Sequence, residues 1–252
     1  MNYSDALKQR ILNNINSNPS VNQEDYTVFE SAIIFKNLED NFLKSSYESI
    51  LTNSNWERRL MKRHSHFKDG TLEMQSSNSS DAILMNIFCN PGMKKWTGPR
   101  ELLNIDALSD IEFGWKPVFE NEDNHPTEID MKIGNRIFES KLTEISFTTK
   151  PHEIVERYKD FHTVFDSTAL DNGKGEYCHY QLIRNILTAY KYGYSFSILI
   201  DESRIDLIKE LFSATRAIKD PNLRSRISFI TWQEIASVCG TELKEYLSSK
   251  YF

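Results

Sequence analysis

The residues best suited to chemistry lie in two short runs, 128–133 and 136–141, separated by Gly134-Asn135. Glycine followed by asparagine fits a two-residue hairpin turn, because glycine accepts positive φ at the first central position. With that loop Ile133 faces Arg136, Asp130 faces Glu139, and Glu128 faces Lys141. Alternation along each strand keeps these last four residues on one face. The spacing thus predicts two carboxylates with Cβ atoms about 5 Å apart, beside a lysine. Like charges directly opposite are unfavourable in a plain sheet, and a divalent cation between them turns repulsion into binding. Magnesium suits one or two carboxylates completed by water or phosphate oxygen. Such an ion positions water and stabilises charge developing on a phosphoryl group. The ammonium of Lys141 would orient the attacking water or help deprotonate it. The plain alternative is an exposed charge ladder, with Glu128 paired to Lys141 and Lys132 offsetting Asp130.

The elements that must position this hairpin can be read from hydrophobic spacing. Residues 1–75 read as a helical extension: Ala6, Ile11, Leu12 and Ile15 form one stripe, and Val28, Ala32 and Phe35 another at i, i+4, i+7. Leu43, Tyr47, Ile50 and Leu51 continue the pattern. The polar stretch Gln75-Ser76-Ser77-Asn78-Ser79-Ser80 marks either a linker or the tight start of a helix, and is the expected boundary between domains 1–75 and 76–252. A short apolar helix at 81–89 is capped by Ser79 or Ser80 and ended by Pro91-Gly92. Another helical turn or two is expected at 100–108. Strands follow at 113–120, 128–133 and 136–142, then a helix opened by Pro151 and a long helix at 176–191. A buried strand at 196–200, a helix at 204–218, a strand at 227–230 and a helix at 232–249 complete the chain. Three consecutive strands feeding crossover units imply an α/β fold, a mixed sheet with helices packed on it.

The chain has 252 residues, 39% hydrophobic, enough for one large domain with a real core. No stretch approaches the roughly 20 apolar residues of a membrane span, so no membrane partner is expected. The first residues are neither a signal peptide nor a lipidation signal. Cys89, Cys178 and Cys239 stand far apart with no CxxC, which points to a reducing, cytoplasmic compartment and away from a zinc ribbon. The net charge is −6, so polyanion binding must come from local patches or a metal.

The pattern Pro126-Thr-Glu-Ile-Asp130, eight residues, then Glu139-Ser140-Lys141 resembles the PD-(D/E)XK nuclease superfamily. The segments SSDAILMNIF (79–88), TEIDMKI (127–133), FESKLTE (138–144) and YQLIRN (180–185), in that order, resemble a bacterial family of restriction-endonuclease-like proteins. The resemblance covers roughly residues 75–235. It implies a restriction-endonuclease-like mixed β-sheet core flanked by helices, and a Mg²⁺-dependent endonuclease acting on DNA, with Mn²⁺ able to substitute. It also implies that Asp130 and Glu139 hold the metal, with the Ser140 carbonyl as a further ligand, and that Lys141 is the catalytic lysine. Gln181, heading a polar helical stripe with Arg184, Asn185 and Thr188, would sit near the scissile phosphate. The competing reading of that stripe is the wet face of an amphipathic helix. An additional acid is expected from the helix before the sheet. Asp81 stands where the family would have glutamine, and Glu101 is a second candidate. Their plain readings are a first-turn acid favoured by the helix dipole and a solvated helical glutamate. A homodimer would place two sites on two strands. A catalytically inactive nucleic-acid- or protein-binding module on the same fold is the alternative function.

Residues 56–68 hold Arg58, Arg59, Lys62, Arg63 and Lys68, with Trp56 and Phe67 as stacking candidates. The alternative is a solvated basic helix face over a buried aromatic. His64 and His66 lack metal-ligand spacing and a nearby cysteine. Gly173-Lys174-Gly175 lacks the preceding strand of a phosphate loop and reads as a turn.

Overall fold

A computed structural model describes residues 2–17, 22–30, 32–65, 70–119 and 128–252. The chain divides into two compact units, residues 1–109 with 231–252, and residues 110–230. The chain passes between these units near 109 and 230, and the polar stretch 75–80 lies inside the first unit. That stretch is a tight helix start: Ser76, Ser77 and Ser79 are buried, and Ser79 Oγ accepts the Ala82 N–H at 3.1 Å.

The first unit begins with α1 (Tyr3–Ser17), whose Leu7, Ile11 and Ile15 are buried. Next comes a hairpin of β1 (Tyr26–Val28) and β2 (Ile33–Phe35), paired Tyr26–Phe35, Thr27–Ile34 and Val28–Ile33. This corrects the all-helical reading of 1–75. The i, i+4, i+7 spacing of Val28, Ala32 and Phe35 straddles a turn closed by Phe29 N–H to Ala32 O at 2.8 Å. Locally, the β-prone Tyr-Thr-Val and Ile-Ile-Phe triplets win. Helices α2 (Lys44–Leu51), α3 (Ser54–Leu60), α4 (Ser80–Phe88) and α5 (Thr97–Leu103) follow.

The second unit carries a five-stranded mixed sheet. Its elements in chain order are β3 (Ile111–Trp115), β4 (Ile129–Ile133), β5 (Arg136–Ser140), β6 (Lys150–Pro151), α6 (His152–Val155), α7 (Phe161–Val164), β7 (Glu176–Tyr177), α8 (Tyr180–Tyr192), β8 (Ser195–Ile200), α9 (Ile205–Arg216), α10 (Pro221–Arg224) and β9 (Ile227–Thr231). The sheet order is β3-β4-β5-β8-β9, while β6 and β7 form a separate two-stranded ribbon. β3–β4 and β4–β5 are antiparallel and β5–β8 is parallel. The third strand ends at Trp115 rather than 120. The helix expected from Pro151 is instead a strand residue pair and two four-residue helices, and residues 176–177 pair in the ribbon before α8 begins.

One face of the sheet carries Ile137, Phe196, Ile198 and Ile200. They pack with Leu182, Ile183, Ile186 and Ala189 of α8 and with Leu207, Leu211 and Ala214 of α9. Each large side chain buried this way contributes roughly 1.5–3 kcal/mol. That burial fixes the rotation of α8, and so decides which of its polar residues face β5.

The chain closes with α11 (Trp232–Val238) and α12 (Thr241–Lys250), not the single helix expected at 232–249. Cys239 and Gly240 are extended between them. A Cβ on Gly240 would lie 2.4 Å from the Trp96 ring, so close packing on that ring requires glycine here. Among the described residues, no helix is long and apolar enough to cross a membrane.

Candidate active site

The hairpin register is Ile133–Arg136, Lys132–Ile137 and Met131–Phe138, with Gly134 at φ 57° in the turn. Continued by one pair, it sets Asp130 across from Glu139. The Asp130 Oδ2 accepts the Ser140 backbone N–H at 2.8 Å, so the aspartate is anchored on the strand that carries the glutamate. Glu139 shares the face of Ile137, under α8. One step further along, Lys141 N–H donates to Leu199 O at 2.9 Å, extending the β5–β8 ladder by a residue.

Glu139 and Lys141 are each 3% exposed, unlike the solvated ladder that a plain hairpin would give. Lys141 Nζ donates to Glu139 Oε1 at 2.8 Å and to Gln181 Oε1 at 3.2 Å. Asn185 Nδ2 donates to Glu139 Oε2 at 2.8 Å. Lys132, meanwhile, pairs with Glu112 on β3 at 2.5 Å. The structure thus brings Asp130, Glu139, Ser140, Lys141 and Gln181 into one cluster. Sequence reasoning placed Asn185 only in a polar stripe. Its one distinguishing signal was the four-residue spacing from Gln181, which puts both on the same helical face.

Burial acts most strongly on Lys141 and by itself would push the ammonium down. The carboxylates of Glu139, Glu144 and Asp130 together outweigh it and hold Lys141 above its ordinary value. That direction favours the protonated ammonium, the donor to Glu139 and Gln181.

The start of α8 is fixed by the loop after β5. Tyr180 N–H donates to Thr148 O and Gln181 N–H to Phe147 O, both at 3.0 Å. Those bonds satisfy helix donors that have no partner inside the helix. Glu210 Oε2 takes the Phe147 N–H at 3.2 Å and lies 3.0 Å from His179 Nδ1. Both Thr148 (φ 58°) and His179 (φ 62°) are left-handed, a conformation costing a non-glycine residue roughly 1–2 kcal/mol. Arg204 ties down the same loop, donating to Leu142 O at 2.9 Å and Glu144 O at 2.6 Å. Arg184 lies over the Tyr180 ring and donates to Glu128 O at 3.2 Å.

The remaining candidates lie in the first unit. Asp81 is buried and accepts from Arg59 at 2.9 Å and Lys62 at 2.8 Å. Burial pushes its carboxyl up, but the two cations outweigh burial and hold it below the usual value. Glu101 is exposed on α5. α3 ends at Leu60, so the basic run is not one helical face. Arg59 and Lys62 turn to Asp81, Arg58 is exposed and donates to Asn55 Oδ1 at 2.9 Å, and Arg63 is exposed in a bridge with Leu72. Trp56 is buried. His66, Phe67, Lys68 and Pro126 lie outside the described residues.

Among the described residues, no three His, Cys, Asp or Glu side chains are grouped to hold a metal; the carboxylates acting on Lys141 are those of Glu139, Glu144 and Asp130. A hard divalent ion of the magnesium kind is commonly held by one or two carboxylates, the donor type that Asp130 and Glu139 carry. A carboxylate offers about four lone-pair positions, so the two hydrogen bonds on Glu139 leave it able to coordinate.

A mixed sheet with a central acidic hairpin under a helix carrying Gln181 is a restriction-endonuclease-like α/β architecture. The chain belongs to the family described as restriction endonuclease associating with ARP, whose profile matches residues 11–252. The match takes in most of the stretch before residue 75. Comparison with curated proteins and with solved structures gave no match.

Proposed function

We propose that this chain is a magnesium-dependent deoxyribonuclease of the PD-(D/E)XK type, a restriction or defence endonuclease hydrolysing DNA phosphodiester bonds. The observation that carries the reading is the buried contact set on one hairpin face, Glu139 to Lys141 to Gln181, with Asp130 anchored on the neighbouring strand. Membership in a restriction endonuclease family supports DNA as the polymer. Asp130, Glu139 and the Ser140 carbonyl hold the ion. Bound there, Mg²⁺ or Mn²⁺ supplies electrostatic stabilisation of the phosphoryl group and an activated water.

The chain's own residues do the rest. Lys141 presents its ammonium to the attacking water or a phosphate oxygen, since a charged donor in a dry site is strongest where negative charge develops. Gln181 holds the lysine's direction from α8. Arg184, and the exposed Arg58 and Arg63, contact backbone phosphates, while Arg59 and Lys62 do so only through what their bonds to Asp81 leave. Two copies acting together would cut both strands.

The test is a DNA panel with Mg²⁺ or Mn²⁺. Wild type is expected to cleave, with Lys141→Ala and Asp130→Asn slower by about 100- to 1,000-fold. Equal residual cleavage by all three sinks the reading.

One observation favours a catalytically inactive binding module: both oxygens of Glu139 already have protein partners. A metal-independent gel shift, with no cleavage on any substrate and no divalent-ion thermal shift, is the outcome that reading expects.

A further inference from the structure

We infer that Asn185 is a positioning residue of the site, holding the Glu139 carboxylate in its coordinating orientation and adding a buried acceptor beside it. The inference rests on the nuclease reading above.

Asn185 is 0% exposed. Its Nδ2 lies 2.8 Å from Glu139 Oε2. An ionised carboxylate only accepts hydrogen bonds, so the amide must present nitrogen to it, and the flip of the amide is settled by chemistry. Glu139 is then gripped from two directions, with Lys141 on one oxygen and Asn185 on the other. That fixes its rotamer on a strand where it would otherwise swing. The consequence for Asn185 is an unsatisfied atom: its Oδ1 is buried with no hydrogen-bond partner among the described residues. A buried acceptor without a donor costs about 1–3 kcal/mol. At that position a leucine would fill similar space with no polar atom to satisfy. A polar residue kept at such cost next to a reactive carboxylate points to a role in the working site. Residues that orient ligating carboxylates typically change metal affinity by about 10- to 100-fold when removed.

The position of Asn185 has a clear structural origin. It sits four residues after Gln181, one turn further along α8, so the helix presents Gln181 to Lys141 and Asn185 to Glu139 from one face. Two polar side chains from a single helix thus grip the two members of a buried ion pair.

The experiment is a calorimetric Mn²⁺ titration of full-length wild type, Asn185→Leu, Glu139→Gln and the double variant. Proton–nitrogen NMR of the Asn185 side-chain amide during a Mg²⁺ titration of wild type accompanies it. Asn185→Leu is expected to weaken Mn²⁺ binding about 10- to 100-fold. In the Glu139→Gln background the same change should matter by about twofold or less, because Asn185 acts through Glu139. The Asn185 amide signal, identified by its loss in Asn185→Leu, should shift saturably with Mg²⁺. Unchanged affinity in Asn185→Leu, or equal losses in both backgrounds, overturns the inference and leaves the nuclease reading standing. So does an amide signal that ignores Mg²⁺ while the protein binds it. Wild type that binds neither ion sinks the nuclease reading, and this inference with it. If Asn185→Leu does not fold, the amide of the wild-type protein decides the matter, assigned through backbone connectivity.

Discussion

Lys141 and Glu139 form a buried ion pair, and breaking one partner of such a pair costs about 3–5 kcal/mol because the other charge is left uncompensated. Lys141→Ala is expected to lose stability of that order in urea melts without divalent ion. A loss near zero would mean that the pair is solvated. Asp81 makes a parallel case in the first unit. Its carboxyl is held below the usual value by Arg59 and Lys62, so its contribution is present above the ordinary carboxylate range and is lost as pH falls through the folded value. Asp81→Asn should therefore destabilise by about 3–5 kcal/mol at pH 7, and the gap to wild type should narrow as the solution is acidified below about pH 4. A gap independent of pH would contradict the ion-pair assignment. At this scale the shared face of Asp130, Glu139 and Lys141 was legible from residue type and turn length, whereas Gln181 was singled out only through the family resemblance. Asn185 was not legible, since asparagine in a polar helical stripe looks the same whether it faces water or a buried carboxylate. Nor was the partnership of Arg59 and Lys62 with Asp81, which joins residues about 20 apart along the chain through packing alone.

The turn is the element on which the site depends. Gly134 adopts φ 57°, so Gly134→Ala should cost about 1 kcal/mol or more, read as a lower urea midpoint. An unchanged midpoint would show that the bend tolerates a side chain. The register of β4 and β5 was readable because a two-residue turn leaves only one pairing. The hairpin at 26–35 was hidden because apolar residues on either side of a turn imitate helical spacing. The region from 150 to 177 was misread because Ile154, Val155, Tyr158 and Phe161 match a helix, yet the chain breaks into two single turns and a short ribbon. The last helix, α12, carries a different signal. Lys250 is buried, its Nζ within 2.9 Å of Asn41 O, Asn41 Oδ1 and Tyr246 Oη. Burial lowers it from 10.5 to about 7, with Asp40 opposing. Between those values the unfolded chain binds more protons than the folded one, so stability rises with pH from about 7 to about 10.5, by up to about 1.4 kcal/mol per unit. Lys250→Met should flatten that slope in melts at pH 7 and pH 9. An equal slope in both proteins would assign it elsewhere.

For the molecule as a whole, the net charge of −6 sets the terms on which a polyanion approaches. A chain of this charge gains little from its overall field, so DNA affinity must depend on local cations and on neutralising the hairpin acids. That charge balance was readable from composition. The division into two compact units was not, because residues 231–252 join the N-terminal part across a separation in sequence that no local pattern records. Asp130, Glu139 and Lys141 are proposed to form one metal-dependent hydrolytic site. Its most direct test is the initial rate of DNA cleavage in Mg²⁺ for wild type and Asp130→Asn, both confirmed folded. Wild type should cleave in a reaction that chelation abolishes, and the variant should be slower by about 100-fold or more. Equal rates, or cleavage indifferent to chelator, would contradict the proposal.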